Sequence, residues 1–159
     1  MKKYLFIYSL ILALSVFIFI FTDLKAELIK PNSKIEPYKV VKIQLTSLMK
    51  NNYPHKDSGI KQTWEFAHPN NQKYTGPLER FKIMLKGETY KMLLNHLDHK
   101  IIAVQVTDGI ADYEVTVLDV EKKYYKFNWR VEKYLFDGDL KDCWLTTMVS
   151  QPTPLGSSI

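Results

Sequence analysis

Hydrophobic positions fall into three regimes along the chain. Residues 4–21, opening on Tyr4 and closing on Phe21, are apolar except for Ser9 and Ser15. Lys2 and Lys3 precede this run, and Asp23 and Lys25 follow it. An uncharged run of that length is close to the ~20 residues that cross a bilayer as a helix. It is apolar all round and lacks the single stripe of a core helix. Helical spacing then takes over. Pro37 suits a first helical position, and Val41, Leu45, Leu48 and Met49 recur on one face, with Pro54 past the end. Asp57 or Ser58 is placed to cap a second helix carrying Ile60, Trp64 and Ala67, which Pro69 stops at His68. Residues 70–75 are polar and read as a loop. Gly76-Pro77 opens a third helix with Leu78, Phe81, Met84 and Leu85 on one side, Glu79 near its positive end and Gly87 as its stop. Thr89 caps a short amphipathic turn with Tyr90, Leu93, Leu94 and Leu97.

After His99 the period becomes two. Ile102, Val104 and Val106 alternate with Ala103 and Gln105, and Asp108-Gly109 reads as a hairpin turn because both residues tolerate positive φ. Ala111, Tyr113, Val115 and Val117 alternate with Asp112, Glu114 and Thr116. Beyond a turn at Glu121-Lys122-Lys123, the cleanest alternation is Tyr125, Phe127, Trp129 and Val131 against Lys126, Asn128, Arg130 and Glu132. Asp137-Gly138-Asp139 turns again, and Cys143, Leu145, Thr147 and Val149 form a last strand. Helices followed by an antiparallel meander give an α+β fold, three N-terminal helices covering the dry face of the sheet. The expected organisation is a leader over residues 1–26, a linker over 27–36, the α+β domain over 37–150 and a flexible tail over 151–159.

The stretch Trp64-Glu65-Phe66-Ala67-His68-Pro69-Asn70-Asn71, then Thr75-Gly76-Pro77-Leu78-Glu79-Arg80-Phe81 and Met84-Leu85, resembles domain-of-unknown-function family 4864 of bacteria and photosynthetic eukaryotes. Gly138-Asp139-Leu140-Lys141-Asp142-Cys143-Trp144 resembles that family's final turn, with Trp144 opening the last strand. The resemblance spans nearly all of the chain past the leader. By analogy of element order it implies the cone-shaped, cystatin-like or SnoaL-like fold of nuclear transport factor two and ketosteroid isomerase, a curved antiparallel sheet around a pocket. It supplies no catalytic residues. His68 stands where a smaller residue is commoner in that family.

Charge and composition narrow the field. With 46% hydrophobic and 25% charged residues the chain is of ordinary globular composition. Of the net +5, Lys2, Lys3 and Lys25 against Asp23 account for two, and the remaining mild excess is interspersed with acids, as in Glu79-Arg80 and Glu132-Lys133. There is no basic stripe, so nucleic acid is not an expected partner. Lys2 and Lys3 stay cytoplasmic under the positive-inside rule, sending the domain to the non-cytoplasmic side of a single-pass anchor. Cleavage of the leader, giving a secreted or periplasmic domain, is the alternative; its site would be Leu24-Lys25-Ala26, a poor match to small-residue cleavage sites.

Candidate chemistry is sparse. Cys143 is the sole cysteine, so no internal disulfide forms, and it reads as a small buried apolar residue. His96 and His99 share a face if helical, but zinc needs three or four ligands, and no metal or other cofactor is expected. The alternative for them is exposure around a helix end. The six glycines are scattered, without a phosphate-cradling cluster. Tyr113, Phe127 and Trp129 point to the dry face, Asp112 and Glu114 to the wet one. The dry aromatics line either a pocket for a small hydrophobic ligand or plain core. Trp64 and Arg80 complete the candidate ligand-binding set, Arg80 either clamping a carboxylate or making a surface ion pair. The expected function is a non-catalytic ligand- or protein-partner-binding module at a membrane. The alternative is an isomerase or cyclase, which needs an inward carboxylate of raised pKa with a tyrosine partner. A structural assembly module would instead show a large exposed apolar patch.

Overall fold

A computed structural model describes residues 27–157; the apolar run over residues 4–21 lies outside the described residues. Among the described residues no helix is long and apolar enough to cross a membrane. The fold is α+β, with four α-helices ahead of a five-stranded antiparallel sheet.

Helix α1 (Pro37–Met49) begins on the proline and buries Val40, Val41, Gln44, Leu45 and Leu48. Helix α2 (Ser58–Glu65) buries Gly59, Ile60, Gln62 and Thr63. Asp57 precedes it in the left-handed conformation (φ 63°) without capping it. Its carboxylate takes a 2.7 Å ion pair from Lys86 instead, which holds the Asp57 carboxyl below its ordinary pKa. The polar stretch read as a loop is helical: α3 (Pro69–Thr75) starts on Pro69, and His68 Nδ1 accepts the Asn70 N–H at 3.1 Å as its cap. It buries no residue, so no apolar period announces it. Helix α4 (Leu78–Lys86) turns Phe81 and Leu85 inward, and a single 3₁₀ turn (Lys91–Leu93) leads to the sheet.

Strands β1 (Asp98–Val106), β2 (Ile110–Leu118), β3 (Lys123–Lys133) and β4 (Trp144–Val149) pair in sequence order. The residues of β2 and β3 alternate as their sequence predicts, with Ala111, Tyr113, Val115, Val117, Phe127, Trp129 and Val131 buried. Asp112 and Glu114 face outward and pair with Arg130 and Lys126. Edge strand β1 differs. Ile101, opposite Val115, packs on the core, whereas Ile102, opposite Glu114, is exposed. A register shift between Ala103 and Gln105 follows, and Val104 and Val106 are exposed too. The Asp108-Gly109 hairpin forms where expected without positive φ at either residue; Thr107 closes it, its N–H donating to the Ile110 carbonyl at 2.8 Å.

Two further differences lie at the end of the sheet. Trp144, Leu145 and Thr146 are all buried: a register shift between Arg130 and Val131 sets Thr146 opposite core-facing Val131, and the segment Phe66–His68 lies along the free edge of β4. The Thr146 N–H donates to the Phe66 carbonyl (2.7 Å) and the His68 N–H to the Thr146 carbonyl (2.9 Å). A strand shielded on both faces loses the alternation expected of a half-buried one. The stretch read as a tail contains β5 (Thr153–Ser157), which pairs with the first half of β3 and so shares one edge of that strand with β4.

Candidate functional site

Helices and sheet leave a cavity of about 230 Å³ where α1, α2, α4 and the β3–β4 pair converge. Leu48, Phe81, Met84, Leu85 and Leu93 supply apolar wall, and Gln44, Thr63 and Thr146 a polar seam. Position 44 belongs to the buried stripe of α1, so helical geometry forces the Gln44 amide inward. There Oε1 accepts from Thr146 Oγ1 at 2.6 Å and from Trp129 Nε1 at 3.2 Å, while Nε2 donates to the Thr63 carbonyl at 3.0 Å. Trp129 Nε1 also reaches Thr146 Oγ1 at 3.3 Å. Among the described residues every buried side-chain nitrogen and oxygen has a partner. A network satisfied in this way fixes the seam and leaves it with little unmet demand for a ligand.

Hydrogen-bonding capacity is freer around Tyr90 and Asn71. Tyr90 Oη lies 3.5 Å from the Val149 carbonyl and Asn71 Nδ2 lies 3.4 Å from that of Thr146, both at the long limit of a hydrogen bond. Tyr90 is the only titratable residue among those lining the cavity, and burial raises its hydroxyl pKa. The phenol is therefore neutral at physiological pH and serves as donor or acceptor. Glu132 accepts from Thr147 Oγ1 at 3.1 Å but does not itself line the cavity.

The five residues singled out by sequence separate. Trp129 lines the cavity. Trp64 stands behind its wall, its ring 5.0 Å from that of Phe81. Phe127 is fully buried core. Tyr113 is also buried, its ring 6.2 Å from that of exposed Tyr38; burial first, then Glu36 and Tyr38, push its hydroxyl pKa up. Arg80 is exposed, with no ion pair among the described residues. Its side chain lies over Gly76, where φ is +81° and a Cβ would stand 2.6 Å from Arg80 Cδ. Sequence reading missed Gln44, Thr63, Thr146 and Tyr90. The available signal was Gln44, a lone amide inside the apolar stripe of α1.

The histidines are not exposed around a helix end as read. His96 is 2% exposed, and its Nε2 lies 2.8 Å from Nδ1 of half-buried His99. The described residues hold no group of three or more potential metal ligands. His68 caps α3, and its burial lowers its pKa. Cys143 is buried immediately before β4, and burial raises its thiol pKa. No family model, curated protein or solved structure matches the chain. The family resemblance therefore rests on its quoted residues alone.

Proposed function

We propose that the chain is a membrane-anchored binding module of non-catalytic character, with its helices and sheet forming a cone around a site for a small, neutral, mostly apolar ligand. The apolar run over residues 4–21 holds it in the bilayer with the domain on the non-cytoplasmic side. The observation that carries the ligand reading is the lining: aliphatic and aromatic walls, amide and hydroxyl groups, and no titratable residue except Tyr90. A pocket of that chemistry desolvates apolar surface at no electrostatic cost, and a charged ligand would enter it without a counter-ion. At about 230 Å³ it lies below the roughly 300–1,000 Å³ of drug-sized sites, so it takes a small molecule or one end of a longer chain. Tyr90 and Asn71 are the groups left to bond a neutral polar head. An isomerase or cyclase needs an inward carboxylate or histidine as base, and the lining offers neither, which favours binding over turnover.

Octanol and octanoate test this reading, since they match in length and differ in charge at neutral pH. By calorimetry with the full chain, octanol is expected to bind at least about tenfold more tightly, the cost of stripping water from an unpaired carboxylate. Met84→Trp, which fills the cavity, is expected to abolish the binding. Equal or tighter binding of octanoate, or binding unaffected by Met84→Trp, would refute the assignment.

A further inference from the structure

The stretch joining the apolar run to the domain is fixed to α2. The Ile29 N–H donates to Gln62 Oε1 at 2.8 Å, and Gln62 Nε2 donates back to the Ile29 carbonyl at 2.8 Å. Gln62 is 7% exposed, so the side-chain half of this reciprocal pair is shielded from water. Lys30 adds a 2.7 Å ion pair with Glu65 one turn along the same helix. Swivelling, which a linker would permit, therefore stops at Ile29.

That attachment sets a distance. Seven residues lie between Phe21, where the apolar run ends, and Ile29, making eight steps along the chain. Fully extended they reach roughly 29 Å, at about 3.6 Å each. A domain of this size has a radius of gyration of about 14 Å and hence a diameter of about 36 Å. The tether is shorter than the body it holds, and it leaves from one face, so that face stays beside the surface from which the tether emerges.

The composition of that face suits a lipid interface. Two adjoining grooves flank Thr46 and Ser47; Ile29, Tyr38, Lys39 and Lys42 border one, and Lys50 and Tyr53 the other. Ile29 and Tyr38 are each 47% exposed and Tyr53 is 77% exposed, a high level for apolar and aromatic side chains in water. Lys39, Lys42 and Lys50 are exposed and make no ion pair among the described residues; Glu27 and Glu36 are the acids on the same face. Tyrosine rings settle at headgroup depth, and lysines extend their ammonium groups to phosphates.

We infer that this face of α1, with Ile29, Tyr38, Lys39 and Lys42 at its centre, docks on the phospholipid surface of the bilayer that holds the anchor. The inference rests on the anchoring reading above and adds a fixed orientation to it. With the α1 face on the lipid, the domain has one membrane-facing side and its remaining surface stays in water.

Labels at Tyr38→Cys and, as a control, Tyr74→Cys on α3 test the orientation. Tyr74 is 86% exposed and has no part in either groove, and the native Cys143 is buried. Full-length chains carrying a fluorophore are reconstituted into phosphatidylcholine vesicles, with and without phosphatidylglycerol, containing a headgroup-attached quencher. The label at position 38 is expected to be quenched several-fold more than that at 74, and phosphatidylglycerol is expected to increase the difference. Lys39→Glu with Lys42→Glu is expected to weaken docking by about fivefold per lysine and to bring the two positions together. A chain that fails to float with any vesicle overturns the anchor and the docking alike. A chain that floats with equal quenching at 38 and 74, or whose quenching ignores the double reversal, overturns docking alone.

Discussion

Gly59→Ala is expected to cost at least about 3 kcal/mol and to leave little folded protein, because no volume exists for the new methyl group. A Cβ at position 59 would overlap the Ser47 carbonyl oxygen and stand 2.7 Å from Ser47 C and 2.8 Å from Asn51 Cα. All three atoms are backbone, in α1 or just past its end, and cannot rotate away. Moving them would break the bonds that join the two helices: the Gly59 N–H to the Asn51 carbonyl and the Ile60 N–H to Asn51 Oδ1, both 3.0 Å. The conformation of Gly59 is not itself special, since its φ is not positive. In an open helix the same change would stabilise by about 0.5–1 kcal/mol, so the sign of the effect isolates the steric clash. Against a total stability of about 5–15 kcal/mol the loss is severe. Gly109→Ala is the control, with nothing within 4 Å of its added Cβ. Urea midpoints followed by circular dichroism decide the matter; a Gly59→Ala protein as stable as wild type would mean that α1 and α2 do not approach as described.

Gly59 also shows how much of this fold is legible in sequence. Periodicity marked α1, α2, α4 and β1–β4, because each repeats apolar residues at its own period, whereas β5, read as a tail, is exposed throughout. It could not mark a close helix approach, for which a single glycine is the only trace. Helix α3 escaped because it buries nothing and its apolar series is empty. Edge strand β1 misled because its β-branched residues are mostly exposed and only Ile101 packs inward as expected of a core strand. Thr146 read as outward-facing by parity, but a register shift between Arg130 and Val131 sets it opposite core-facing Val131, where its hydroxyl meets Gln44. The polar seam of the cavity depends on that inward hydroxyl and on Gln44. For that reason the aromatic residues of β3 were visible as dry-face positions while the polar seam they border was not.

The pair His96 and His99 gives the domain a stability that falls in mild acid. His96 Nδ1 lies 2.7 Å from the Leu93 carbonyl, which only accepts, so Nδ1 carries the proton. Nε2 is then a lone pair, and His99 Nδ1 donates to it across 2.8 Å. Both rings are neutral in this arrangement, and a proton on His96 Nε2 would require His99 to change to the tautomer whose Nδ1 accepts. Burial, the largest cause, lowers the His96 pKa from 6.5 to about 4; the Leu93 carbonyl opposes it, His99 adds to it and Asp98 opposes it. His99 shifts the same way, through burial first, with Asp98 opposing and Lys42 reinforcing. Because the folded pKa lies below the unfolded one, the unfolded chain binds more protons between them. The contribution is complete above pH 6.5 and is lost as pH falls towards 4. From pH 6.5 to about 4.5 the loss attributable to His96 is roughly 2–3 kcal/mol. The Asp57–Lys86 pair lies outside that window, since Asp57 titrates below its ordinary 3.8. Denaturation midpoints across the window should therefore fall steeply for wild type and much less for His96→Phe, even though that variant starts lower through its unpaired Leu93 carbonyl. Parallel slopes for the two proteins would show that the ring at position 96 is already open to water in the folded state.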